Sequence, residues 1–263
     1  MLSIIVCIKQ VPDTNRASFD PRTGAINRAS AENIANPDDL HAVELALKLR
    51  DACGGRVTAI SMGPPRAADT LAEAYALGVD DCVLVSDPAF AGSDSLVTGK
   101  ILARAIGKLG RFDVVVTGFE AIDGNTAHVS YQLSEFLGLP HITQIHDLMI
   151  EDGHAVIERL YGHEYQKIRV ELPVLLAATR NTNRVRAPRL ADLKSCTGKD
   201  FTVMTMADVG GSADEYGTAG SPTVVIGTEV FAHSRGREEI RGTTDEKVEG
   251  LMQRLKKHNI LRY

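Results

Sequence analysis

Tryptophan is absent from this 263-residue chain, and aromatic residues make up only 5% of it. That scarcity argues against a surface built to stack successive bases. Nor is there an excess of basic charge: 29 lysines and arginines stand against 34 acidic residues, for a net charge of −5. The bulk electrostatic footprint of a nucleic-acid binder is therefore missing. The four cysteines, Cys7, Cys53, Cys82 and Cys196, lie far apart with no CxxC pair. This argues against a zinc site, an iron–sulfur cluster or a disulfide framework. No apolar run approaches the length of a membrane span, and Met1-Leu2-Ser3-Ile4-Ile5-Val6 lacks the basic start and cleavage site of a secretory leader. A cytoplasmic protein is expected. Two phosphate-binding signatures are missing as well. No GxGxxG follows the first strand, and no GxxxxGK followed by Ser or Thr occurs anywhere, so neither a dinucleotide dehydrogenase nor a P-loop nucleotidase is supported.

What is present is the composition of a globular protein, 44% hydrophobic and 24% charged, in a chain long enough to bury a sizeable core. Leu2 to Ile8 is a continuous apolar run, the mark of a central parallel strand buried on both faces, with Cys7 a small core residue within it. Residues 12 to 36 are polar and turn-rich, with a reverse turn predicted at Asp20-Pro21-Arg22-Thr23-Gly24. Asn36-Pro37-Asp38-Asp39 then opens a helix: Asn36 is a capping residue, Pro37 suits the first helical position, and two carboxylates sit at the positive end of the dipole. Further strands are predicted at Arg56 to Met62, Cys82 to Val85 and Val114 to Thr117, alternating with helices from about Ala67 to Leu77 and after the caps Ser93-Asp94-Ser95. This alternation predicts an α/β fold, an open, mostly parallel, doubly wound sheet of Rossmann-like type, with ligands outside the carboxyl ends of its strands.

The stretch from Asp113 to Leu137 organises the rest. A β-branched run, Val114-Val115-Val116, stops at Gly118; Asp123-Gly124-Asn125-Thr126 follows; then Val129, Leu133, Phe136 and Leu137 recur at helical spacing. A strand feeding a helix through such a turn gathers unpaired backbone N–H groups, which suits a phosphate, although an ordinary βα loop has the same outline. After Pro140 the pattern changes to a β-hairpin, Leu148 to Ile150 and Ala155 to Leu160, then an alternating strand from Tyr165 to Glu171 and a buried one from Pro173 to Ala178. The segment Thr179 to Arg189 carries four arginines besides Asn183 and Pro188, and meets no acid until Asp192. It is either a solvated basic loop or a docking surface for a protein partner. Residues 208 to about 243 are rich in Gly, Ser and Thr and poor in periodicity, and an amphipathic helix from about Thr244 to Lys257 presents Val248, Leu251, Met252 and Leu255. Two parts are expected: residues 1–207 as the nucleotide-binding domain with its hairpin, and 208–263 as an arm and helix packing on a partner subunit.

Four motifs together, Val6-Cys7-Ile8-Lys9-Gln10-Val11-Pro12-Asp13, Asn36-Pro37-Asp38-Asp39, Ser61-Met62-Gly63-Pro64 and Ala121-Ile122-Asp123-Gly124-Asn125-Thr126, resemble the β subunit of electron transfer flavoproteins. The resemblance covers essentially the whole chain. It implies a heterodimer with a larger α subunit that carries FAD, while the β subunit holds an adenine nucleotide: structural AMP in one branch, or in the electron-bifurcating branch a second FAD that takes a hydride from NADH. Asp123-Gly124-Asn125-Thr126-Ala127-His128-Val129 and Ala219-Gly220-Ser221-Pro222-Thr223 are similar to the bifurcating branch. The resemblance places Cys7, Asn36, Pro37, Asp38, Asp39 and Met62 around the adenosine, and Gly118 with Ala121, Ile122, Asp123, Gly124, Asn125, Thr126, Ala127, His128 and Val129 around the phosphates. Met62 as plain core, and Asp38 and Asp39 as servants of the helix dipole alone, are the competing readings. Electrons would pass to ferredoxin or flavodoxin and, through the α-subunit FAD, to an acyl-CoA dehydrogenase-type partner. Recognition of that partner is assigned to Arg180, Asn183, Arg184, Arg186, Pro188, Arg189, Leu190 and Leu193, and no side chain is expected to act as acid, base or nucleophile. Phe119-Glu120 departs from the family, which usually has a basic residue followed by Gln there. A universal-stress-type nucleotide-binding protein shares the strand–helix alternation but would leave the segment after residue 208 without a role.

Overall fold

The structure, a computed structural model, describes residues 1–13, 32–196, 200–224, 226 and 239–260. The turn expected at residues 20–24 and much of the stretch after residue 224 lie outside these. The chain forms two compact units, Met1–Ile226 and Gly227–Tyr263.

In the first unit, β1 (Leu2–Cys7) leads into a short antiparallel ribbon, β2 (Gln10–Pro12) with β3 (Asn33–Ala35), and then α1 (Pro37–Cys53). Next come β4 (Gly55–Met62), α2 (Ala68–Leu77), β5 (Asp81–Val85), α3 (Ser95–Lys108), β6 (Val114–Gly118) and α4 (Val129–Leu137). The strands β7 (His141–Thr143), β8 (Ile145–Glu151), β9 (His154–Tyr161), β10 (Glu164–Glu171) and β11 (Val174–Ala178) follow, and the unit closes with α5 (Leu190–Cys196), β12 (Thr202–Met204), α6 (Met206–Val209) and α7 (Gly217–Gly220). The second unit holds α8 (Thr244–Lys257), which starts on a Thr243–Glu246 capping box and buries none of its own residues.

Seven strands form one sheet in the order β12-β5-β4-β1-β6-β11-β7, every neighbouring pair parallel. The strand order reverses at β1, which lies between β4 and β6, so a topological switch point opens at the carboxyl ends of β1 and β6. Alternation along β1 divides the core. Ile4, Val6 and Ile8 face the layer containing α1 and α2, while Ile5 and Cys7 face the layer containing α3 and α4. The expected hairpin and following strand form a separate antiparallel sheet, β10-β9-β8, turning at Asp152 and Gly153, both with positive φ.

The first unit runs past the boundary expected at 207. Residues 206–216 pack on α3: Val209 and Tyr216 are buried, and the Tyr216 ring meets Phe90 edge-on at 5.1 Å. Lys100 and Arg104 of α3 pair with Glu215, and Arg104 also donates to the Tyr216 hydroxyl. Residues 208–216, expected to begin an arm reaching toward a partner, thus contribute to this unit's own second core layer.

Candidate functional site

A cavity of about 360 Å³ occupies the switch point, within the size range of small-molecule sites. Its floor is the end of β1, with Cys7, Ile8 and Lys9; Met62 of β4 and Thr117 and Gly118 of β6 flank it; the loop from Phe119 to His128 and the start of α4 form one wall. Burial and the nearby Asp39 charge push the Cys7 thiol well up, so it is an apolar, protonated part of that floor.

Gly118 is dictated by close approach. A Cβ there would lie 2.1 Å from Asp39 Oδ1 and 2.9 Å from the Asp39 backbone nitrogen. The contact is a bond as well as a constraint: Asp39 Oδ1 accepts from Gly118 N at 3.1 Å, and Oδ2 accepts from Lys9 N at 2.7 Å. One buried carboxylate thus ties the ends of β1 and β6 to the first turn of α1. Burial pushes that carboxyl up to about 7, against hydrogen bonding from Lys9.

The loop after Gly118 is shaped by backbone. Asn125 and Ala127 both have positive φ, a conformation unfavourable for alanine that turns neighbouring amides toward one side. The N–H groups of Thr126 and Ala127 have no hydrogen-bond acceptor among the described residues, and those opening α4 are orphaned by helix geometry. Thr117 Oγ1 and Ser130 Oγ, both buried and both in the cavity wall, also lack partners. Unsatisfied donors concentrated in one cavity mark a place for a polar, anionic ligand.

Charge alone argues the other way. Lys9 is the one cationic side chain among the described residues of the wall, and both oxygens of Asp123 accept from its Nζ, at 2.8 and 2.7 Å. Asp39, Asp94, Glu120 and Asp123 line the same cavity. An anion held here depends on backbone N–H groups.

Of the residues expected around a nucleotide, Cys7, Asp39, Met62, Gly118, Ala121, Asp123, Gly124, Asn125, Thr126, Ala127, His128 and Val129 line the cavity. Asn36, Pro37, Asp38 and Ile122 do not. Asn36 makes no side-chain cap. Its amide instead donates to Glu120 O at 2.8 Å and accepts from Ile122 N at 3.2 Å, so it pins the loop from behind. Asp38 faces away and pairs with Arg180 at 3.1 Å. Missed from the sequence were Lys9 and the opening of α3, where Ser93, Asp94, Ser95 and Thr98 supply the opposite wall. The cap residues at 93–95 were a legible signal for a helix start, but their approach to the β1–β6 crevice comes from topology.

Three of the proposed docking residues strap the chain along α1. Arg180 reaches Asp38, Asn183 bonds His41 through ring and backbone, and Arg186 bonds buried Glu44 at 2.7 Å and Asp51 at 2.9 Å. Arg189 pairs with Asp192. Arg184, Pro188, Leu190 and Leu193 are exposed, the two leucines at 68% and 43%.

Residues 23–202 match the electron transfer flavoprotein domain. The electron transfer flavoprotein subunit beta of Thermoanaerobacterium thermosaccharolyticum is 39% identical over 261 residues, covering 99% of this chain and 100% of the relative. The caffeyl-CoA reductase-Etf complex subunit CarD of Acetobacterium woodii is 38% identical over 262 residues, with coverage of 99% and 100%. The acryloyl-CoA reductase electron transfer subunit gamma of Anaerotignum propionicum is 36% identical over 268 residues, with the same coverage.

Proposed function

For a chain that belongs to the electron transfer flavoprotein family, as a β subunit, we propose that the cavity at the β1–β6 switch point holds FAD and that the chain works in an electron-bifurcating heterodimer. One observation carries this reading: unpaired amides around the positive-φ pair Asn125 and Ala127, with orphaned Thr117 and Ser130 hydroxyls, converge on one cavity. The loop from Gly118 to Val129 would hold the diphosphate through its N–H groups and the Thr126 and Ser130 hydroxyls. Cys7, Ile8 and Met62 would pack the adenosine. The loop sequence, similar to that of the bifurcating branch, favours FAD over AMP. Bound FAD supplies hydride and single-electron chemistry that side chains lack.

The chain's own part is to bind, orient and exclude water. Gly118 and Asp39 fix the strand ends, Asn36 fixes the loop, and Lys9 neutralises Asp123. Glu120 has no ion-pair partner among the described residues, so a cation of the α subunit is assigned to it. NADH is the proposed donor, and ferredoxin or flavodoxin the low-potential acceptor. Relatives named for caffeyl-CoA and acryloyl-CoA reductases favour an acyl-CoA dehydrogenase-type partner, met by Arg184, Pro188, Leu190 and Leu193.

Denaturing the purified α/β complex and counting released flavin and AMP tests the reading. Two FAD per heterodimer are expected; one FAD and one AMP would leave a simple electron carrier with structural AMP.

A further inference from the structure

We propose that Ser221 and Thr223 are positioning residues for the nucleotide cavity. They hold the Asp94 carboxylate and the opening of α3 in the cavity wall, so that satisfied groups, and not a free negative charge, face the bound nucleotide. The inference rests on the reading of the cavity as a nucleotide site.

Asp94 lines the cavity and caps α3, its Oδ1 accepting from Val97 N at 3.0 Å. Its other oxygen is taken by a residue 129 positions away: Thr223 donates to Oδ2 from its hydroxyl at 2.6 Å and its backbone N–H at 3.2 Å. The Asp94 backbone N–H donates to Ser221 Oγ at 2.8 Å, and that hydroxyl donates on to Gly217 O at 2.6 Å. Gly217 N in turn donates to Ser93 Oγ at 3.1 Å. The clasp has a fixed seat. Gly217 has φ +57, and a Cβ there would come within 2.7 Å of the carbonyl oxygens of Ala89 and Ala91, so the segment lies against the turn preceding α3 as only glycine allows.

The reason for such a clasp is electrostatic. The same wall carries Glu120 and Asp123, and its lysine is committed to Asp123. A carboxylate stripped of two donors beside a bound phosphate would repel it, whereas one spread over three donors and set at a helix N-terminus is neutralised locally. Burial would raise the Asp94 carboxyl, but hydrogen bonds from Thr223 and Val97 hold it below its ordinary value. Ser221 and Thr223 touch the nucleotide through Asp94 only.

The test uses the full-length α/β complex, with FAD and AMP as probes of retention and affinity. Thr223→Val, which removes the hydroxyl donor and keeps the backbone N–H, is expected to weaken binding of whichever nucleotide the wild-type complex retains by about tenfold, in line with loss of one hydrogen bond to a charged group. Thr223→Ser should restore it. Asp94→Asn combined with Thr223→Val should bind more tightly than Thr223→Val alone, since the uncompensated charge is gone; a merely structural clasp predicts the double variant to be no better. Ser221→Ala supplies an independent arm with an expected weakening in the same direction. Wild-type retention that survives unchanged in Thr223→Val, or a double variant no tighter than the single one, overturns the inference while the nucleotide reading stands. A wild-type complex holding neither FAD nor AMP overturns that reading and the inference with it.

Discussion

Two residues meet in the wall of the cavity, and each makes a distinct prediction. Gly118 lies so close to α1 that a methyl group would overlap Asp39 Oδ1. Gly118→Ala should therefore cost about 1–3 kcal/mol of stability through forced backbone shift and release nucleotide from the complex. Chemical denaturation paired with flavin fluorescence checks both, and a stable, fully loaded variant would refute the role given to this contact. Asp39 makes a pH prediction. Burial raises its carboxyl to about 7, above the ordinary value of 3.8. The folded state thus keeps a proton the unfolded state has lost, so the stability from this group is present below pH 3.8 and disappears as pH rises through about 7. Inside that window the group lowers stability by up to about 1.4 kcal/mol per pH unit. Urea midpoints measured between about pH 4 and about pH 8 should fall more steeply for the wild type than for Asp39→Asn. Parallel curves would remove Asp39 as the titrating group.

At the scale of elements, the strap from Arg180 to Leu193 separates residues that a charge count treats alike. Arg186 holds buried Glu44, which is 4% exposed, so Arg186→Glu would set two carboxylates together and should cost roughly 3 kcal/mol or more. Arg184 is exposed and has no ion pair among the described residues. Arg184→Glu should change stability by less than about 0.5 kcal/mol yet slow electron delivery to the dehydrogenase in stopped-flow assays. Wild-type transfer rates in Arg184→Glu would sink the docking assignment. The same segment marks how far sequence reading reaches. Four arginines in a row of loop residues are visible, but their pairing with α1, 142 residues earlier for Arg180 and Arg186, is not. Strands β1, β5, β6 and β11 were legible as apolar runs between turn residues, and β4 as a Val57-, Ala59- and Ile60-bearing stretch between Gly55 and Gly63. The three-residue strands β2, β3, β7 and β12 are too short to carry a period. Asn36 was legible as a helix start, but its amide serves the loop at 120–122, a use that local pattern cannot distinguish from capping.

For the whole molecule, the question is where the first unit ends. A boundary at 207 follows from the loss of periodicity beyond it, since glycine, serine and threonine give no stripe to read. Yet the first unit extends to Ile226, because Val209 and Tyr216, 3% and 1% exposed, fill the layer against α3. A few large side chains decide the packing of a segment whose average composition is that of a linker. Two truncations separate the alternatives. Ending the chain after Ala207 removes Tyr216 and the clasp on Asp94, and should cost about 3–5 kcal/mol, the scale of losing a buried aromatic, together with the nucleotide. Ending it after Ile226 removes α8, which buries none of its residues and leaves Val248 and Leu251 at 57% and 48% exposure; the thermal midpoint of the remaining unit should stay close to that of the full chain. Its loss should appear in association instead: an amphipathic helix that presents an apolar stripe among the described residues suits a partner surface, and the chain ending at Ile226 should bind the α subunit at least tenfold more weakly in titration calorimetry. Undiminished pairing would transfer the heterodimer contact to the first unit, leaving the β8–β10 sheet, with Tyr161 and Tyr165 at 62% and 60% exposure, as the face to test next.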